Sequence, residues 1–325
     1  MTPRSVIIDT DTGIDDFFAI VQALRSPELD VATLTTVGGN VPLRYATRNA
    51  LRAVEYAGRI EISVIPGAAR PLRGRFHYAP YYHGPGGLPA PMPRPKVYRV
   101  LRDAVDFLHL RATGIRARKV PFTLIALGPA TNVARLFRRL GETKGRNSLE
   151  RVVIMGGAVD VSGNVTPFAE FNTWNDPEAA AEVFAGDIPV TLVPLDVCNQ
   201  VRVSRSDFAG AEPTARRLGV AWLKRHPGRQ LGLADCVAIA AVADPGAFRF
   251  ERIPLEVDTS LGPERGRTNR SGSGNTIEVA VEIDADRVLR AIRERAFAPP
   301  PPGDPLQGSP SPGKARSRPS AAIQS

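Results

Sequence analysis

Among its 325 residues the chain has only two cysteines, Cys198 and Cys236. That is too few for the disulfide framework of a small secreted scaffold, and both sit in apolar surroundings that suit buried, inert thiols. No apolar run approaches the roughly 18 residues needed to cross a bilayer. The opening MTPRS has no long apolar segment of the kind a secretory signal carries. A cytoplasmic location with no membrane partner is therefore expected. Neither GxGxxG nor GxxxxGK followed by Ser or Thr occurs, which removes the common phosphate-cradling loops. Internal repeats are missing too. The formal net charge is +9, but the arginines are dispersed and no basic patch is interleaved with aromatics. No specific nucleic-acid partner follows from such a charge.

What the sequence does have is a dense acidic turn near its start. Val6-Ile7-Ile8 reads as a buried strand. Asp9, Asp11, Asp15 and Asp16 follow within eight positions, with Gly13 between the two pairs. Ile14, Phe17, Phe18, Val21 and Leu24 then recur at helical spacing. A single Asp at a helix start is usually a cap. Four around one strand-to-helix turn repel one another more strongly than a helix dipole can offset. A hard cation with oxygen ligands, Ca²⁺ or Mg²⁺, would relieve that repulsion.

Further along, strands are expected at 31–37, 62–65, 122–127, 152–155, 190–195, 253–257 and 276–283. Helices are expected at 42–57, 97–113, from Thr131, from Asp176, around 204–226, over the apolar run 233–241, and at 284–296. Such alternation predicts an α/β fold, a single domain with a mostly parallel central sheet flanked by helices. In such folds ligands bind beyond the carboxyl ends of the strands. The unusual polar residues fall there: the acidic turn after the first strand, Asn40 after the second, and Asn164, Glu170 and Asn172 after the VVIM strand. Residues 66–95, rich in Gly, Pro and aromatics, are too long for a plain connector and read as a flap over the site. The domain is expected to span 1–298. Residues 299–325, rich in Pro, Ser and Gly, form an expected disordered tail.

DTDTGIDD at 9–16, VGGN at 37–40, ALGPATN at 126–132 and MGGAVDVSGNVTPFAEFNTWNDPEAA at 155–180 together resemble the nucleoside hydrolases of the inosine–uridine preferring type. The resemblance runs from about residue 4 to 297. It implies hydrolysis of the N-glycosidic bond of a ribonucleoside to ribose and free base, with one Ca²⁺. By motif, the metal ligands would be Asp11, Asp16, the backbone carbonyl of Leu127, and Asp235. Asp11 would also deprotonate the attacking water. Asp15, Asn40, Asn164, Glu170 and Asn172 would bind the ribose hydroxyls, and Asp9 would orient the loop. A homodimer or homotetramer is implied as well.

The implied chemistry is coherent. Glycosidic cleavage builds positive charge on the sugar ring, and a carboxylate-rich pocket stabilises it where it develops, while a metal acidifies water. The chain departs from many relatives at Ala234, where a histidine directly precedes the last metal-binding Asp. His83 in the flap is then the candidate acid for the leaving base, with Tyr81, Tyr82 and His226 behind it. Trp222 is a candidate for stacking on a purine. Ala234 also motivates an alternative, a ribose- or nucleoside-binding relative without turnover or with altered specificity. A second alternative is a haloacid-dehalogenase-like phosphatase, because Asp9-Thr10-Asp11-Thr12 echoes its nucleophile loop.

Overall fold

The computed structural model describes residues 2–96, 103–114, 120–141 and 148–299. The first half of the chain gives β1 (Arg4–Thr10), α1 (Ile14–Leu24), β2 (Leu29–Thr36), α2 (Leu43–Tyr56), β3 (Ser63–Pro66), α3 (Pro80–His83), α4 (Ala104–Thr113), β4 (Phe122–Ala126), α5 (Thr131–Gly141) and β5 (Leu149–Met155). The second half gives α6 (Phe171–Asn175), α7 (Pro177–Phe184), β6 (Val190–Val193), α8 (Leu195–Cys198), β7 (Arg202–Val203), α9 (Pro213–Arg225), β8 (Leu231–Gly232), α10 (Ala234–Ala243), β9 (Phe248–Val257), β10 (Thr268–Arg270), β11 (Thr276–Ile283) and α11 (Ala285–Ile292). Among the described residues no helix is long and apolar enough to cross a membrane.

Nine strands form one sheet in the order β10-β9-β11-β6-β5-β4-β1-β2-β3. From β11 to β3 the neighbours pair in parallel, and β9 and β10 close the far edge antiparallel. Alternation along β1 feeds two cores. Val6 and Ile8 join the layer containing α1, α2 and α10, and Ile7 joins the layer containing α4, α5 and α7. β1 lies between β2 and β4, so successive crossovers leave it in opposite directions along the sheet. That switch point opens a crevice at the carboxyl ends of β1 and β4.

The expected fold class is found, with shifts at element ends. Of the expected helix at 97–113, residues 97–102 lie outside the described residues, and α4 begins at Ala104. The region around 204–226 is two pieces, a 3₁₀ turn at Arg205–Phe208 and α9, because Pro213 starts a new helix capped by Glu212. The strand expected at 253–257 begins at Phe248, where pairing with β11 extends past the apolar stretch. The last helix passes into a π turn at Arg293–Phe297. The expected tail, from residue 300 on, lies outside the described residues.

One correction concerns Trp222. Its side chain is fully buried in the α1-side core, edge-on to Tyr82 with ring centroids 5.6 Å apart. It supports the flap from beneath and presents no face to a ligand. The same core ends the folded chain. Phe297 meets Phe18 and Phe208 at centroid distances of 5.0 and 4.6 Å, with all three buried. Phe297→Ala is expected to cost about 3–5 kcal/mol, read as a lowered denaturant midpoint. Leu261→Ala, at an 82% exposed site, is expected to leave the midpoint within about 0.5 kcal/mol of the parent.

Candidate active site

β1 delivers Asp9 and Asp11 to the switch point, and α1 begins immediately afterwards with Asp15 and Asp16 in its first turn. Asp235 arrives from the first turn of α10, an almost wholly apolar helix buried against α1. Carboxylate oxygens of Asp15, Asp16 and Asp235 all lie within 4.8 Å of one another. Asp11 joins from the other side, because one Asn40 side-chain amide donates to both Asp11 Oδ1 and Asp16 Oδ2, at 3.0 Å each. The Asn40 backbone N–H adds a 2.5 Å bond to Asp11 Oδ2. Asp16 is also held by Thr10 Oγ1 at 2.6 Å and the Gly13 N–H at 2.8 Å. Asp9 points away from this group and accepts from Thr35 Oγ1 and Asn132 Nδ2, in keeping with a role in orienting the loop.

Two glycines permit this crowding. A Cβ on Gly39 would stand 2.0 Å from Asp11 Oδ2, and one on Gly13 would stand 2.4 Å from His83 Nδ1. Both positions must lack a side chain for the carboxylate and the imidazole to sit against the backbone.

The carboxylates are short of compensating charge. Among the described residues no lysine or arginine pairs with any of them; the nearest basic group is His83, its Nδ1 3.4 Å from Asp15 Oδ1. That nitrogen accepts the Ile14 N–H at 3.3 Å, so its lone pair faces inward and the proton resides on Nε2. Burial, seconded by the charge of His226, drives the His83 pKa down to about 3, so the ring is neutral. Asp15 Oδ1 is thus left buried without a donor. Burial first, and the neighbouring Asp16 charge second, push Asp15 up to about 8 and hold Asp11 and Asp235 well above the usual carboxylate range. Two bare carboxylates about 4–5 Å apart repel by the order of 3 kcal/mol at an intermediate dielectric. An oxygen-lined, buried and anionic cluster with an orphaned oxygen suits a divalent hard cation.

The cluster opens onto a cleft of about 340 Å³ through Asp15 and Asp235, while Asp11 and Asp16 are wholly buried and do not line it. Asn40, His83, Asn164, Glu170, Asn172 and Leu127 line it with Asp15 and Asp235. The Leu127 carbonyl accepts Asn172 Nδ2 at 2.7 Å and retains a second lone pair. Glu170 is committed locally. It caps α6, its oxygens accepting from the N–H groups of Asn172, Thr173 and Gly157, and burial raises its pKa to about 7. Asn164 Oδ1 accepts the Phe171 N–H.

The flap lies over the cleft, with Ala79, Tyr81, Tyr82 and His83 on its wall. Three residues hold it down, of which the sequence marked only Asp176, as a helix start. Asn49 Nδ2 donates to the Thr12 and Gly86 carbonyls, tying flap to acidic turn. Asn175 bonds both the N–H and the carbonyl of His77. Asp176 accepts from the Leu72 N–H while capping α7. An amide side chain buried in a helix, as Asn49 is in α2, was the available signal.

A group whose folded pKa lies above its unfolded value stabilises the fold at low pH and loses that contribution as pH rises. With Asp15 raised to about 8, chelator-treated protein is expected to lose thermal stability between pH about 4 and about 8. Added Ca²⁺ is expected to raise Tm more at pH 8 than at pH 5, since only ionised carboxylates bind it. A Ca²⁺ effect independent of pH would contradict the assignment. Gly39→Ala is expected to displace Asp11 and weaken this Ca²⁺-induced rise without removing any charge.

Residues 6–290 match the family model described as inosine-uridine preferring nucleoside hydrolase. Uridine nucleosidase 1 of Arabidopsis thaliana is 32% identical over 320 residues, covering 91% of this chain and 94% of that protein. A non-specific ribonucleoside hydrolase of Salmonella agona is 34% identical, covering 89% and 96%. The solved purine-preferring ribonucleoside hydrolase from Gardnerella vaginalis superposes with a TM-score of 0.80 at 28% identity, covering 90% and 98%. A match of this extent sets the phosphatase reading aside, and the carboxylate cluster accords with a metal-dependent family. The chain belongs to the inosine–uridine preferring nucleoside hydrolases and is an N-glycosidase acting on ribonucleosides.

Proposed function

We propose that this chain hydrolyses ribonucleosides to ribose and free base with Ca²⁺ held by Asp11, Asp16, Asp235 and the Leu127 carbonyl. The supporting observation is the buried carboxylate cluster at the switch point, with which no lysine or arginine among the described residues pairs. When bound, the cation supplies charge compensation and acidifies a water. Asp11, its carboxylate fixed by two bonds from Asn40, takes the proton of the attacking water. The sugar hydroxyls bind to Asp15, Asn40, Asn164, Glu170 and Asn172, which offer both donors and acceptors. As the glycosidic bond lengthens, the anionic floor stabilises the oxocarbenium-like ring. His83, neutral and protonated on Nε2, serves the leaving base as a hydrogen-bond donor.

Oxygen spacing favours a second arrangement of the same cluster, with Asp15 in place of Asp11 beside Asp16 and Asp235. Calorimetric Ca²⁺ titration of Asp11→Asn and Asp15→Asn separates the two, the greater affinity loss marking the ligand. In either arrangement Asp11→Asn is expected to lower kcat on uridine and inosine by at least about a hundredfold. Near-normal turnover would remove Asp11 as the base. Binding of ribose analogues without release of base from any nucleoside would favour the non-catalytic alternative.

A further inference from the structure

A departing base carries away the bonding electron pair, and the carboxylate floor of the cleft opposes that negative charge. A counter-charge is needed on the rest of the wall. The proton donors there supply little of it. His83, being neutral, can give the base a hydrogen bond but no positive charge. His226 Nε2 lies 3.1 Å from the Tyr82 carbonyl and so spends its proton there. Tyr82 is a weak acid made weaker by burial. Ala234, directly before Asp235, has no proton to give.

Two permanent cations line the cleft, Arg202 and Arg229. Arg229 is exposed, and its guanidinium makes no hydrogen bond to a described residue. Arg202 is fixed. Its Nε donates to the Asn199 carbonyl at 2.9 Å, one terminal nitrogen to Asn199 Oδ1 at 3.0 Å, and the other to the Gln230 carbonyl at 3.4 Å. Its backbone pairs with Gly232, two residues before Ala234, in the antiparallel β7–β8 pair. Three of five N–H groups are used, and two remain for a ligand.

We propose that Arg202 is the leaving-group residue, a guanidinium held at the cleft wall that binds the departing base as an anion. The inference rests on the hydrolysis proposed above. The C1′–N bond breaks, its electron pair passes to the base nitrogen, and the charge spreads to the ring oxygen or nitrogen facing Arg202. Water oxygen bonds to C1′, its proton goes to Asp11, and the released base anion takes a proton from solvent. Bases with ring carbonyls, which spread negative charge onto oxygen, benefit most.

The test compares uridine with 4-nitrophenyl riboside, whose leaving group departs as a stable anion without help. Arg202→Met is expected to lower kcat on uridine by about a hundredfold, the cost of removing one preorganised donor to a developing anion, while turnover of the nitrophenyl riboside falls only slightly. Arg202→Lys retains the charge and is expected to keep more uridine turnover than Met. Equal loss on both substrates would mean that Arg202 merely braces the β7–β8 pair, and an unchanged uridine rate would mean that it does not touch the base; either overturns the proposal. So does a Lys variant no better than Met. Failure of the parent protein on both substrates would instead overturn the hydrolysis reading itself and this inference with it.

Discussion

Like charges forced together in a dry place constrain this structure more than any other feature. Asp11, Asp15, Asp16 and Asp235 come from two helices and a strand end and meet where Asp11, Asp16 and Asp235 are buried and Asp15 nearly so. Each unpaired carboxylate would cost several kcal/mol to bury. The surrounding backbone is arranged to lower that cost. Gly13 donates its N–H to Asp16, Asn40 spans Asp11 and Asp16, and the amino-terminal ends of α1 and α10 bring their dipoles to bear. These measures remain incomplete, as the orphaned oxygen of Asp15 shows. A molecule built this way is adapted to something positive that arrives from outside, whether a cation or a sugar ring acquiring charge.

The sheet explains why these groups can be held so firmly. β1 is central, paired on both sides, and its end is a fixed point from which the acidic turn departs. β4 ends beside it, and Leu127, the residue after it, lines the same crevice. α10 has apolar residues on every side and is clamped between α1 and the sheet, so Asp235 has little freedom. The flap is fastened to this frame by amides and carboxylates rather than by a core of its own. Asn49, Asn175 and Asp176 bond its backbone, and Trp222 supports Tyr82 from below.

The cleft is electrically divided. Its floor is acidic and its outer wall carries Arg202, Arg229 and His226. Such a division matches a substrate that breaks into a positively charged sugar and a negatively charged base. The overall excess of arginine has a second, more ordinary explanation, since many arginines form exposed pairs such as Arg138–Glu182 and Arg287–Asp244, each of small energetic worth.

Local patterns in the sequence determined much of this. Strand-to-helix alternation gave the parallel sheet, because hydrophobic periodicity is a property of neighbouring residues. The density of Asp residues at 9–16 marked the site, since charges that close in sequence stay close in space. The tertiary structure decided what depends on distant partners. Asp235 stands beside Asp16 only because α10 packs on α1, and Asn49 reaches the flap only because α2 passes beneath it. Trp222, an apparent base-stacking residue from its place in the chain, was turned into the core by the amphipathic face of α9. Arg202 carried no signal at all, because a lone arginine acquires meaning only from the Asn199 and Gln230 groups that tether its guanidinium at the wall of the cleft.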